Sequence, residues 1–176
     1  MTHPENALPE AVALFERFSA LGIASRTTLH AAAHTVEDAQ ALRGDIPGAH
    51  AKNLFVKDKK GRLFLVTALE EARLDLKRLH ETIGGQGRVT FASADQMRAL
   101  LGIEPGSVTP FAAMNDTGGA VTVVLQAALM EYETLNFHPM INTATTTLSR
   151  ADLIRFLDAV GHPPMIVALP EAAPSA

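Results

Sequence analysis

Residues 51–69 read AKNLFVKDKKGRLFLVTAL, two β-rich runs joined by Asp58-Lys59-Lys60-Gly61. A short polar connector ending in glycine, between runs of branched and aromatic residues, predicts a β-hairpin. In the first run Leu54 and Val56 face one way, Asn53 and Phe55 the other. In the second, Phe64 and Val66 alternate with Leu63, Leu65 and Thr67. Apolar residues on both faces place this hairpin in a sheet covered on both sides.

Upstream, Ala11, Leu14, Phe15, Phe18 and Leu21 share one face of a predicted helix over 9–21, which Gly22 can end. A strand over 23–29 follows, then a helix opened by Thr35 and Asp38 that stops near Gly44. Downstream, the pattern predicts a helix over 74–83 with Leu76, Leu79 and Ile83 inward, and a short strand over 88–91. Ser93 and Gln96 form a capping box for a helix carrying Met97, Leu100 and Leu101. The loop GIEPGSVTP comes next, with strands predicted over 121–125, 130–137 and 143–148. Ser149 and Asp152 start a last helix with Leu153, Phe156, Leu157 and Val160 in one stripe, and 165–169 reads as a final strand. Strands and helices mix without regular βαβ alternation. The expected fold is therefore α/β, a mixed and curled β-sheet, a partial barrel flanked by helices.

A chain of 176 residues is expected to be one domain, with loose tails at 1–6 and 170–176. No apolar run reaches spanning length, and the start MTHPENALPE lacks a basic-then-apolar leader, so a cytoplasmic protein is expected. With no cysteine there is no disulfide framework, zinc knuckle or thiol chemistry, and no metal or other cofactor is expected. The net charge of −4 argues against a general nucleic-acid binder. Between Lys52 and Arg62, however, five basic residues accompany one acidic residue. That run is either a solvated hairpin or a patch that meets phosphates.

Nucleotide-loop, nucleophile-elbow and zinc-protease motifs are absent. His30 and His34, four apart without a third ligand nearby, read as surface residues. Gly84-Gly85-Gln86-Gly87 reads as a helix cap and turn. Lys52 opens an apolar strand: by position alone it is a snorkelling surface lysine, or else it projects over a cleft. Asn53 offers an amide to a substrate or to the backbone. Gly106-Ser107-Val108-Thr109-Pro110 is a plain connection, or a loop whose backbone approaches a ligand. His138, before Pro139, is a structural histidine or a pocket wall, with Asn142, Thr145 and Thr146 as supports or as strand residues whose hydroxyls face solvent.

Taken in order, the hairpin, LDLKRLHETIG, GIEPGSVTPFAAMND, NFHPMINTATTTLSRADLIRFL and PPMIV resemble the YbaK/prolyl-tRNA-synthetase-associated-domain family, and within it the free-standing Ala-tRNA(Pro) deacylases. The resemblance implies a trans-editing domain that hydrolyses the ester of mischarged Ala-tRNA(Pro). Lys52 and His138 would then be the catalytic residues. Asn53, Gly106, Ser107, Val108, Thr109, Pro110 and Asn142 would bind substrate, and Lys57 and Arg88 would contact tRNA. A vicinal ribose hydroxyl would assist proton transfer. The implied partners are the acceptor end of the tRNA and prolyl-tRNA synthetase, with neither membrane nor DNA. Two other readings stay open: a deacylase for cysteinyl- or seryl-tRNA, and a non-catalytic tRNA- or synthetase-binding module.

Overall fold

A computed structural model describes residues 8–32, 35–43 and 46–173. The hairpin lies at its centre. Strands β2 (Ala49–Lys57) and β3 (Leu63–Leu69) pair antiparallel, with Asn53 opposite Thr67 and Leu54 opposite Val66. The other strands are β1 (Arg26–Leu29), β4 (Thr90–Phe91), β5 (Val121–Gln126), β6 (Thr134–Phe137), β7 (Ala144–Ser149) and β8 (Met165–Val167). They form one mixed sheet in the order β1-β7-β6-β2-β3-β5-β8, with β4 beside β2. The β2–β6, β3–β5 and β5–β8 pairs are parallel. The path ends at β1 and β8, so the sheet is open.

One face carries Phe55, Leu65, Val123 and Leu125 and packs under α1 (Val12–Leu21) and α5 (Arg150–Ala159). Phe111, fully buried, is the hub of that core. Its ring makes edge contacts with Phe18 at 5.3 Å, Phe137 at 5.5 Å and Phe156 at 5.6 Å, joining α1, β6 and α5. The opposite face is divided. Over β2, β3 and β5 it is apolar: Val56, Phe64, Val66 and Val124 lie under Leu79 and Ile83 of α3 (Leu79–Ile83). Over β1, β7, β6 and the start of β2 the cross-strand partners are polar: Thr28 faces Thr145, while Asn136 faces both Thr147 and His50. The expected apolar covering on both sides therefore holds for half the sheet, and the other half is polar, with Asn136 and Thr145 buried.

Gly48 leads the chain into β2 at a φ of +103°. A Cβ there would lie 2.7 Å from both Cγ2 and the carbonyl oxygen of Thr134, so glycine permits the close approach of β2 to β6.

Several boundaries differ from the sequence reading for non-local reasons. The helix expected over 74–83 begins only at Leu79. Before it, Asp75 N–H donates to Pro170 O at 2.8 Å and Ala172 N–H to Arg73 O at 2.7 Å, which holds 73–75 extended. The same bonds order 170–172, expected to be loose. Of the run 130–137, only Thr134–Phe137 is strand; Ala127–Glu131 is a 3₁₀ turn. A second 3₁₀ segment, Pro110–Asn115, was not foreseen; Thr109 Oγ accepts from Phe111 N–H at its start. The strand expected over 88–91 shortens to Thr90–Phe91. Thr35 caps α2 (Val36–Arg43), its hydroxyl accepting from Asp38 N–H. Gly44, His34 and residues 1–7 and 174–176 lie outside the described residues.

Candidate functional site

The β2–β6 ladder pairs Ala49 with Leu135 and His50 with Asn136, then stops. Carried two residues further, the same register sets Lys52 level with His138 on the polar face. The strands part there, and β2 meets β4 only at Val56 and Lys57. The backbone of β2 between Ala51 and Leu54 is thus open on one side among the described residues. Lys52 and His138 stand at the mouth of that opening.

Lys52 is half-buried, and its ammonium donates to the Ala72 carbonyl. Burial pushes its pKa below the ordinary lysine value, while the charges of Glu70 and Glu71 oppose that and favour the ammonium. His138 Nδ1 lies 3.2 Å from Ala144 O. A carbonyl can only accept, so Nδ1 carries the proton and the neutral ring keeps Nε2 as an acceptor. Burial, and secondarily the nearby charge of His30, holds the His138 pKa below the ordinary histidine value, against the hydrogen bond to Ala144. On the other face of β2, Asn53 Oδ1 accepts from the Thr67 hydroxyl at 2.7 Å. Its Nδ2 group makes no hydrogen bond among the described residues.

The 106–110 loop comes in beside the segment that follows β6. A Cβ on Gly106, at φ +93°, would sit 3.7 Å from Asn142 Nδ2. Ser107 is buried, and its N–H donates to Glu104 O. Thr109 is fully buried, and Val108 packs on the core. The N–H groups of Val108 and Thr109 have no partner among the described residues. An orphaned backbone donor is rare inside a protein and points to a ligand or solvent acceptor. Pro110 then starts the 3₁₀ segment that carries Phe111 into the core.

The description of an aminoacyl-tRNA editing domain matches residues 30–156. The chain belongs to the aminoacyl-tRNA editing domain family. Prolyl-tRNA synthetase associated domain-containing protein 1 of Bos taurus is 38% identical over 159 residues, which cover 88% of this chain and 92% of that protein. Prolyl-tRNA editing protein ProX of Acetoanaerobium sticklandii is 34% identical over 134 residues, 76% of this chain and 81% of that one. A solved structure of a proposed trans-editing enzyme for prolyl tRNA synthetase shares the fold, with a TM-score of 0.71 at 20% identity, over 93% of this chain and 98% of that one.

In this editing domain the basic residues cluster around the hairpin tip. Asp58, buried below the turn, accepts from the N–H groups of Lys60 and Arg62 at 2.9 Å and of Gln86 at 2.8 Å. These bonds hold its carboxyl below the usual pKa, the one from Gln86 most. They tie the hairpin tip to the 84–87 turn, where the Lys59 stem lies against Gly87. Lys57 is half-buried opposite Thr90, and Arg88 is exposed two residues before Thr90. The two stand at one end of β2, and Lys52 stands towards the other.

Sequence reading missed His30. It is half-buried, with Nε2 2.8 Å from the Thr145 hydroxyl and Nδ1 2.8 Å from Ala31 O. Thr145 and Thr146 are buried, not solvent-facing, and the Thr146 hydroxyl bonds that of Thr27 at 2.8 Å. The available signal was the match of two threonine-rich segments, 26–29 and 144–149, which pair as β1 and β7 and carry His30 to His138.

Beside Ala72, the carbonyl of which holds Lys52, lies a cavity of about 480 Å³ walled by Leu69, Ala72, Arg73, Gln126, Ala128 and Glu171. Lys52, Asn53, His138, Asn142 and the 106–110 loop are not among its walls.

Proposed function

We propose that this editing domain is a trans-acting deacylase that hydrolyses the ester of mischarged Ala-tRNA(Pro). The observation that supports the reading is the β2–β6 register, which extended past its last pair sets Lys52 level with His138, together with a nearby loop whose N–H groups are unpartnered. The name of the ProX relative, a prolyl-tRNA editing protein, supports the choice of tRNA. An aminoacyl ester is already activated, so positioning and charge stabilisation suffice. Lys52 binds the ribose–phosphate end of the terminal nucleotide. The Val108 and Thr109 N–H groups donate to the ester carbonyl as water adds to its carbon. The ester C–O bond then breaks, the ribose oxygen takes a proton, and alanine leaves as the acid. His138 Nε2 accepts a hydrogen bond from the substrate and walls the pocket. Lys57 and Arg88 meet the acceptor stem.

Selectivity is steric. Small differences in side chain change binding by only about 1–3 kcal/mol, so a second, smaller sieve is needed to remove alanine. The test is ester loss from alanyl-, prolyl-, cysteinyl- and seryl-tRNA under one set of conditions. Fast loss of alanine with prolyl-tRNA spared is expected, and Lys52→Ala should lower that rate by about 100-fold or more. Equal rates on alanyl- and prolyl-tRNA, or a Lys52→Ala protein as fast as wild type, would reject the proposal. Binding without cleavage would favour a non-catalytic tRNA module.

A further inference from the structure

The cavity beside Ala72 lies outside the pocket just described, yet on the same side of the sheet as Lys52. Lys52 pairs with Ala68 across β2 and β3. The β3–β5 register, which pairs Val66 with Val124 and Thr67 with Leu125, sets Ala68 level with Gln126. Lys52, Ala68 and Gln126 therefore form one cross-strand row on one face, and the Ala72 carbonyl accepts from Lys52 at one end of it. Lys52 does not line the cavity, but its ammonium bonds to the carbonyl of Ala72, which does.

The walls indicate the ligand. Gln126 is only 4% exposed. Its Oε1 accepts from Leu69 N–H at 2.9 Å, and its Nε2 amino group has no partner among the described residues. It therefore offers the cavity a free donor. Leu69, Ala72 and Ala128 supply apolar walls, and Arg73 supplies a planar cation. Single-stranded RNA bases stack on apolar and guanidinium surfaces and are read along their edges by such donors. Two carboxylates, Glu71 and Glu171, face one guanidinium in the lining, which disfavours a phosphate. A volume of about 480 Å³ far exceeds the methyl side chain of alanine and suits a nucleoside.

We propose that this cavity receives the terminal adenine of the tRNA, stacked between Leu69, Ala128 and Arg73, with Gln126 Nε2 donating to a ring nitrogen. The proposal rests on the deacylase reading, because it assigns the base attached to the ribose that Lys52 holds. It makes the domain a reader of the final nucleotide as well as of the amino acid.

The test uses the stable amides 3′-alanylamido-3′-deoxyadenosine and its cytidine counterpart, with binding measured by calorimetry apart from deacylation. The adenosine compound should bind about tenfold or more tightly than the cytidine one, the discrimination expected of a stacked and hydrogen-bonded base. Ala128→Leu narrows the cavity without altering Lys52, Asn53 or His138, and should erase that preference. Gln126→Glu keeps the acceptor for Leu69 N–H, replaces the donor, and should weaken the adenosine compound by about tenfold. Equal binding of the two compounds by wild type, or a preference that survives both substitutions, overturns the assignment. Preferred binding of the adenosine compound without ester cleavage of any aminoacyl-tRNA would leave the cavity assigned and sink the deacylase.

Discussion

Replacing Phe111 with alanine should damage fold and site together. The ring is fully buried and touches Phe18, Phe137 and Phe156 edge-on at 5.3–5.6 Å. Burying a phenylalanine and then truncating it costs about 3–5 kcal/mol, since the walls close only partly over the space. Three aromatic partners on three elements put Phe111 in the upper part of that range, about 4 kcal/mol. Against a total of about 5–15 kcal/mol this is a large fraction. For a chain of this length, it lowers the melting temperature by about 8–16 °C. Urea unfolding followed by circular dichroism and by fluorescence of the one tyrosine checks both the loss and its two-state character. Because Phe111 follows Pro110 and Phe137 precedes His138, deacylation should fall in the protein that remains folded. Phe91→Ala, at a ring 60% exposed, is the control and should cost little. A loss below about 1.5 kcal/mol for Phe111→Ala, or an equal loss for Phe91→Ala, would refute the hub reading.

Further predictions follow from local geometry. Gly48→Ala forces a Cβ onto Thr134 at a positive φ, and should cost about 2 kcal/mol or more in thermal unfolding. Ser149→Ala removes the acceptor 3.1 Å from Asp152 N–H at the start of α5, and should cost about 1 kcal/mol in the same assay. The folded-state pKa of His138 is depressed, so its stabilising contribution is present above the unfolded value of about 6.5 and is lost as pH falls towards the folded value. The stability of His138→Gln relative to wild type should accordingly rise as pH drops below about 6.5, and a pH-independent difference would count against a buried neutral ring.

Much of the fold was legible because its signals are local. The hairpin turn, the Ser93–Gln96 capping box and the stripe of α5 each sit within a few residues, and all three stand as read. The misreadings have long-range causes. Arg73–Asp75 is kept from helix by a segment about a hundred residues later, and no periodicity in 74–83 announces that partner. The run 130–137 is apolar enough for strand, yet only its last four residues find a ladder. At the site, Lys52 and His138 could be singled out by type and neighbours, but their shared level depends on the parallel β2–β6 register, which links residues about eighty-five apart. His30 was dismissed because its partner, Thr145, lies at the opposite end of the sequence.

The division of one sheet face into an apolar half and a polar half places the loosest strand far from the tightest layer. β1 is the edge strand at the polar end of the sheet, so it can fray and reclose while the layer under α3 stays shut. Amide hydrogens of β1 near Thr28 would then exchange through small local fluctuations, and those of Phe64 and Val66 only through global unfolding. A bulky nucleic-acid end could enter and leave such a frame repeatedly without the protein ever loosening its centre.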